Sequence, residues 1–136
     1  KDPDLIYSRA SAKNVDMKPA EMVKATSVWF SYLSAEIPSM FEQELLDVAK
    51  LLQDNPTIKL DLVGHSDNDE QNETKTTKAY IGLAQTRAEA IKKFLTENGV
   101  DASRVSVSGK DNTVPATDKT TPLGKAQNRR VEFSVK

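Results

Sequence analysis

The sequence predicts an α/β fold, a two-layer sandwich of order β-α-β-α-β-β with two main helices packed on one face of a mixed four-stranded sheet. Three observations carry this reading. Residues 57–63 and 130–135 alternate apolar and polar side chains, the two-residue period of a strand covered on one side. Two longer stretches, 39–55 and 79–98, repeat their apolar residues every three or four positions, the period of a helix with one buried face. These helices fall between the early strands, an arrangement that lets both lie over one side of a sheet.

Taken in order, residues 1–25 are polar and weakly patterned, interrupted by Pro3 and Pro19, and read as an N-terminal extension or linker ahead of a domain spanning 26–136. Ser27-Val28-Trp29-Phe30 is β-favouring and makes a short first strand whose aromatics feed the core. Phe41, Leu45, Val48, Ala49 and Leu52 share one face of the first main helix. Asp54-Asn55-Pro56 ends it, because the residue before proline avoids the helical region and proline lacks the N–H that continues the ladder. In the second strand Ile58, Leu60 and Leu62 alternate with Lys59 and Asp61. Ser66 to Lys78 is almost wholly polar, has no helical stripe and predicts an exposed loop. Leu83, Ala84, Ala88, Ile91, Phe94 and Leu95 then stripe the second main helix, and Asn98-Gly99 supplies residue types that accept a left-handed C-terminal cap. Val105 and Val107 mark a third strand that Gly109 ends, and a polar loop with Pro115 and Pro122 leads to the last strand.

Composition excludes several functions. With 136 residues and 38% hydrophobic content the chain has the size of one ordinary domain. Its 19 basic and 20 acidic side chains leave a net charge of -1, so no overall field draws it to nucleic acid or anionic lipid. There is no cysteine, hence no disulfide, thiolate nucleophile or zinc-thiolate site. No stretch has the length and apolarity of a membrane-spanning helix, and Lys1-Asp2-Pro3-Asp4 is unlike a signal peptide, so the parent's export signal or anchor is expected outside these residues.

The residues that carry chemistry fall in three elements: Val63-Gly64-His65-Ser66-Asp67, Leu83-Ala84-Gln85-Thr86-Arg87-Ala88, and Asn128-Arg129-Arg130-Val131-Glu132. They put an acid at the exit of a strand and a guanidinium inside a helix, opposite charges that can grip a zwitterion. By residue type alone, Asp67 reads as a cap or turn-maker and Arg87 as an arginine that lays its methylenes on the core and sends its head to water or an acid. Consecutive strand residues face opposite sides, so only one of Arg129 and Arg130 can look into a cleft; Arg129 is the candidate, and Arg130 is expected to pair with a surface acid. His65 is the chain's one histidine, too little on its own for a hydrolytic triad or a metal site. The acidic run from Asp67 fails as an EF-hand loop, with Asn72 where glycine is needed and Lys78 where glutamate is needed. Neither a catalytic residue, a metal ligand nor a cofactor is assigned.

In this order and spacing the three elements resemble the OmpA-like C-terminal domain family, whose members bind peptidoglycan in Gram-negative envelopes. The resemblance implies that Asp67 takes the ammonium, and Arg87 the carboxylate, of diaminopimelate in the stem peptide, with Arg129 and Asn128 as weaker candidates for the same site. Arginine suits that role, since its planar fork donates two parallel hydrogen bonds to a carboxylate and lysine does not. The chain departs from the family in three places. Arg87 lies twenty positions after Asp67, farther than in the family; Tyr80 stands where the family carries Asn; and Ser31 replaces an Asp. The implied function is a non-catalytic module anchoring an envelope protein to peptidoglycan in the periplasm, from an outer-membrane, lipoprotein or inner-membrane-anchored parent. The alternative is a protein-interaction domain of the same fold that has lost or weakened wall binding, with residues 1–25 or the 68–78 loop meeting an envelope partner. On this reading Asp67→Ala and Arg87→Ala abolish wall binding and leave the thermal midpoint nearly unchanged, and deletion of 70–75 leaves the core folded.

Overall fold

Four strands make one sheet in the computed structural model, which describes residues 18–136: β1 (Ser27–Trp29), β2 (Leu60–Gly64), β3 (Val105–Gly109) and β4 (Arg130–Val135). Their order across the sheet is β1-β4-β2-β3. Strand β4 is antiparallel to both β1 and β2, and β2 and β3 are parallel. The sheet is therefore mixed, as the sequence predicts. A parallel pair needs a crossover, and the helix α4 (Leu83–Glu97) supplies it. The other long helix is α2 (Glu42–Asp54), preceded by a single 3-10 turn at Ser39–Phe41.

The core lies between the sheet and these two helices. Leu60 and Leu62 of β2, Val131 and Phe133 of β4, Val28 and Val105 meet Leu45, Val48 and Leu52 of α2 and Ala88, Ile91 and Leu95 of α4. Helix α4 approaches β2 and β3 closely because glycines lie beneath its first turn. A Cβ on Gly64 would come within 1.7 Å of the Ala84 carbonyl oxygen, and one on Gly109 within 2.7 Å of the Gln85 nitrogen. Asn98 and Gly99 end α4 as expected: Gly99 is left-handed at φ 99° and the Val100 N–H donates back to the Leu95 carbonyl.

Three short helices depart from the expected pattern. Residues 18–25, expected as the end of the extension, contain α1 (Pro19–Lys24), which lays Val23 fully into the core; residues 1–17 lie outside the described residues. The stretch 66–78, expected as an exposed loop, contains α3 (Asn68–Glu73) and leads into a 3-10 turn at Lys78–Tyr80. Here Asp67 and Glu70 form a reciprocal capping box, with the Glu70 N–H on Asp67 Oδ1 at 2.7 Å and the Asp67 N–H on Glu70 Oε1 at 3.1 Å. The loop before β4 contains α5 (Pro122–Asn128), started by Pro122 and capped by Thr121, whose hydroxyl accepts from the Gly124 N–H. Both α3 and α5 lack a long apolar stripe, so periodicity passes over them and capping chemistry makes them.

Candidate functional site: a buried double ion pair

Asp67 leaves β2 just beyond Gly64, and Arg87 lies one turn into α4, above the glycine-lined contact that fixes the helix on the sheet. Neither side chain reaches solvent: Arg87 is 0% and Asp67 1% exposed. The guanidinium stands 5.4 Å from the centroid of the Phe30 ring. All five of its N–H donors are used. Nε donates to the Ser34 carbonyl at 2.8 Å, and Nη1 to the His65 carbonyl at 3.0 Å and to Glu70 Oε1 at 2.8 Å. Nη2 donates to the Ser31 carbonyl at 3.1 Å and to Glu70 Oε2 at 2.5 Å.

Glu70 is the residue that sequence reasoning misses. It is 1% exposed, and its carboxylate is held by a fork of two guanidinium nitrogens plus two backbone N–H groups, those of Asp67 (3.1 Å) and Leu33 (2.7 Å). Four donors saturate a carboxylate. The Leu33 N–H comes from the turn after β1, where Leu33 is left-handed at φ 58°, and the same turn gives Arg87 the carbonyls of Ser31 and Ser34. A readable signal existed in the Asp-x-x-Glu spacing of a capping box; the pairing of that Glu with an arginine on another helix has no local signature.

Asp67 closes the second pair. One oxygen caps α3 and the other accepts from Arg129 Nη1 at 2.9 Å, while Arg129 Nε donates to the Phe30 carbonyl at 3.0 Å. Arg130 turns away, donating to the half-exposed Glu132 at 2.7 Å and to the Val114 carbonyl at 3.1 Å. Asn128 holds the loop before α5: its side-chain oxygen accepts from the Ala116 and Thr117 N–H groups, and its amide donates to the Thr117 carbonyl. The structure thus links Arg87 to Glu70, Glu70 to Asp67 and Asp67 to Arg129, and gives Asn128 and Arg130 other partners. With two carboxylates and two guanidiniums the buried cluster is electrically balanced.

His65 lies outside this cluster. Its side chain is buried beside Glu132, with Nε2 3.6 Å from Glu132 Oε1, beyond hydrogen-bond range. Burial first, then the Arg130 charge and that of Lys110, lower its pKa to about 4 against the opposing pull of Glu132. The ring is neutral at pH 7. Among the described residues no group of three or more His, Cys, Asp or Glu is placed to hold a metal ion, and no helix is long and apolar enough to cross a membrane.

At the rim, Tyr32 is 45% exposed, and its phenol is pushed above the usual value by loss of water and then by the charges of Glu73, Asp67, Asp69 and Glu70. The N–H of the next residue, Leu33, reaches Glu70 of α3. Lys125 of α5 ties to Asp69 of α3 at 2.7 Å, and Asn112 donates to Asn68 at 3.0 Å.

Residues 29–129 match the model of the OmpA family, and this span holds β2, β3, both long helices and the double ion pair. The chain belongs to the OmpA family. It is 32% identical over 109 residues to the probable lipoprotein YiaD of Escherichia coli (strain K12), covering 80% of this chain and 48% of that protein. The chain thus spans less than half the length of that relative. Among solved structures it is similar to the cell wall anchor of the T6SS from Pseudomonas aeruginosa, with TM-score 0.62 and 31% identity, covering 77% of this chain and 72% of that one. The peptidoglycan-associated lipoprotein from Burkholderia pseudomallei has the same fold, with TM-score 0.71 at 24% identity, covering 81% and 89% of the two chains.

Proposed function

We propose that this OmpA-family domain is a non-catalytic binding module that anchors an envelope protein to peptidoglycan in the periplasm by reading the diaminopimelate of the stem peptide. The observation that carries the reading is the carboxylate seat on Arg87. A planar guanidinium and two convergent backbone N–H groups receive a carboxylate in the bidentate geometry that distinguishes arginine from lysine. Asp67 stands against the same seat through its own N–H and offers the anionic partner for an ammonium. A stem peptide carrying lysine lacks the second carboxylate, so Arg87 supplies the specificity. One similar structure supports the wall as the partner by its name, a cell wall anchor. Contacts to a single stem peptide are few, and many copies on one sacculus strengthen attachment by multivalency.

A second reading has one observation in its favour. Both charges of the site already hold internal partners, as expected if the fold had been turned to binding an envelope protein. Co-sedimentation with insoluble peptidoglycan separates the two. We expect binding to diaminopimelate-type sacculi, none to lysine-type sacculi, and loss of binding in Arg87→Lys, which keeps the charge facing Glu70 and removes the fork. Absence of binding by the wild type and by variants that free the seat would overturn the wall-anchor reading.

A further inference from the structure

Glu70 occupies the seat just described. Arg87 has no free donor and no exposed surface, so a ligand carboxylate reaches the fork only after the Glu70 carboxylate leaves it. We propose that Glu70 is a built-in competitor and that α3 is the latch that carries it: the domain binds an anionic ligand group on Arg87 when α3 swings out and withdraws Glu70. This deepens the wall-anchor reading and rests on it.

The make-up of α3 supports the proposal. Its six residues, Asn68-Asp69-Glu70-Gln71-Asn72-Glu73, include no apolar side chain, and Glu70 is its only buried one. The segment that follows, Thr74-Lys75-Thr76-Thr77-Lys78, is polar throughout. Besides Glu70 and the Asp67 cap, α3 is tied to other elements by the Asp69 to Lys125 ion pair, partly in water, and by the Asn68 to Asn112 hydrogen bond. A segment held by polar contacts without apolar anchorage belongs to the low-stability end of a fold and opens without unfolding the core. The same movement uncovers Asp67, because withdrawal of Glu70 breaks both hydrogen bonds of the capping box and releases the oxygen that caps α3. One displacement therefore frees the acceptor for an ammonium beside the donor for a carboxylate.

An equilibrium of this kind divides the intrinsic affinity by the populated fraction of the open form. With the open form at about 1% or less, removal of the competitor tightens binding by roughly 100-fold or more. The test compares wild type, Glu70→Ala and Arg87→Lys for binding to diaminopimelate-type sacculi and to a soluble diaminopimelate-containing muropeptide. Tighter binding by Glu70→Ala, or binding by Glu70→Ala alone, supports the latch. Equal or weaker binding by folded Glu70→Ala overturns the latch and leaves the wall-anchor reading standing; no binding by any form removes both. Should Glu70→Ala not fold, amide hydrogen exchange on the wild type decides. Saturation with the muropeptide must make the amides of 70–73 exchange faster, whereas unchanged or increased protection in the bound state refutes the proposal. Acetate gives a further readout, since it should raise the thermal midpoint of Glu70→Ala saturably by refilling the seat and leave that of the wild type unmoved.

Discussion

Arg87→Ala is predicted to damage the fold, against the expectation from sequence that this substitution leaves the thermal midpoint nearly unchanged. The substitution strands the fully buried Glu70 carboxylate with two backbone donors in place of four, takes the guanidinium donor from the carbonyls of Ser34 and His65, and leaves that of Ser31 with the Ser34 N–H alone. Breaking a buried ion pair by removing one partner costs about 3–5 kcal/mol, roughly a fifth or more of the stability of an ordinary domain. For a chain of this size that is a fall in midpoint of roughly 10 °C or more. Glu70→Ala strands Arg87 in the same way and should cost a similar amount. The double variant removes both charges, so its cost should fall below the sum of the singles by about 2–3 kcal/mol, near the upper end of couplings between residues in contact. Urea denaturation of the four proteins, followed by far-UV circular dichroism, measures the cycle. A cost below about 1 kcal/mol for Arg87→Ala, or additive singles, would refute the claim that the two side chains act as one buried unit.

Three further perturbations follow from the packing. Gly64→Ala puts a Cβ 1.7 Å from the Ala84 carbonyl oxygen, so α4 must lift from β2; a loss of about 1–3 kcal/mol or more by denaturation is expected, and an unchanged midpoint would contradict the contact. Val23→Ala removes two methyl groups from a side chain with no exposure and should cost about 2–3 kcal/mol, whereas a neutral result would return residues 18–25 to the role of spacer. His65 has a folded-state pKa depressed from 6.5 to about 4, so the unfolded chain binds the extra proton first. Its contribution to stability is complete above pH 6.5 and is lost as pH falls towards 4, by roughly 3 kcal/mol at about 1.4 kcal/mol per unit. His65→Phe should flatten the fall in stability between pH 6.5 and 4.

Much of the fold is legible because it rests on periodicity. The alternation of Leu60 and Leu62 with Asp61, and of Val131 and Phe133 with Glu132, follows from burying one side of a strand, and stripes such as Leu45, Val48 and Leu52 follow from burying one side of a helix. Helices α1, α3 and α5 are too short for a stripe, and what forms them is local: a proline at the first turn of α1 and α5, and a capping box at α3. The site is legible in a different degree. That Asp67 and Arg87 lie near one another follows from β2 running out beside the start of α4. Their burial does not, because it depends on a turn at 31–34 and a helix at 68–73 that cover them from two other parts of the chain. Deletion of 70–75, harmless on a loop reading, removes the counter-charge of a buried arginine and is expected to destabilise the domain.

The double ion pair links stability and ligand access through a single contact, and this gives the latch a signature that no single mutant provides. A buried ion pair is seldom the most stabilising way to fill a core, since apolar residues of similar volume often do as well or better. Here its partner side chain belongs to a helix that has no apolar attachment, so the free energy that seats Glu70 on Arg87 is also the free energy that keeps a ligand off it. Substitutions that weaken the seating, such as Glu70→Ala or loss of the Lys125 tie to Asp69, should lower stability and raise affinity together. Substitutions that weaken the core elsewhere, such as Val23→Ala or Gly64→Ala, should lower stability with affinity unmoved. Measured across such a set, an inverse relation confined to the α3 contacts identifies a latch. A common fall of affinity with stability in both groups would mean that the pair is a structural brace, and that any ligand meets this domain elsewhere.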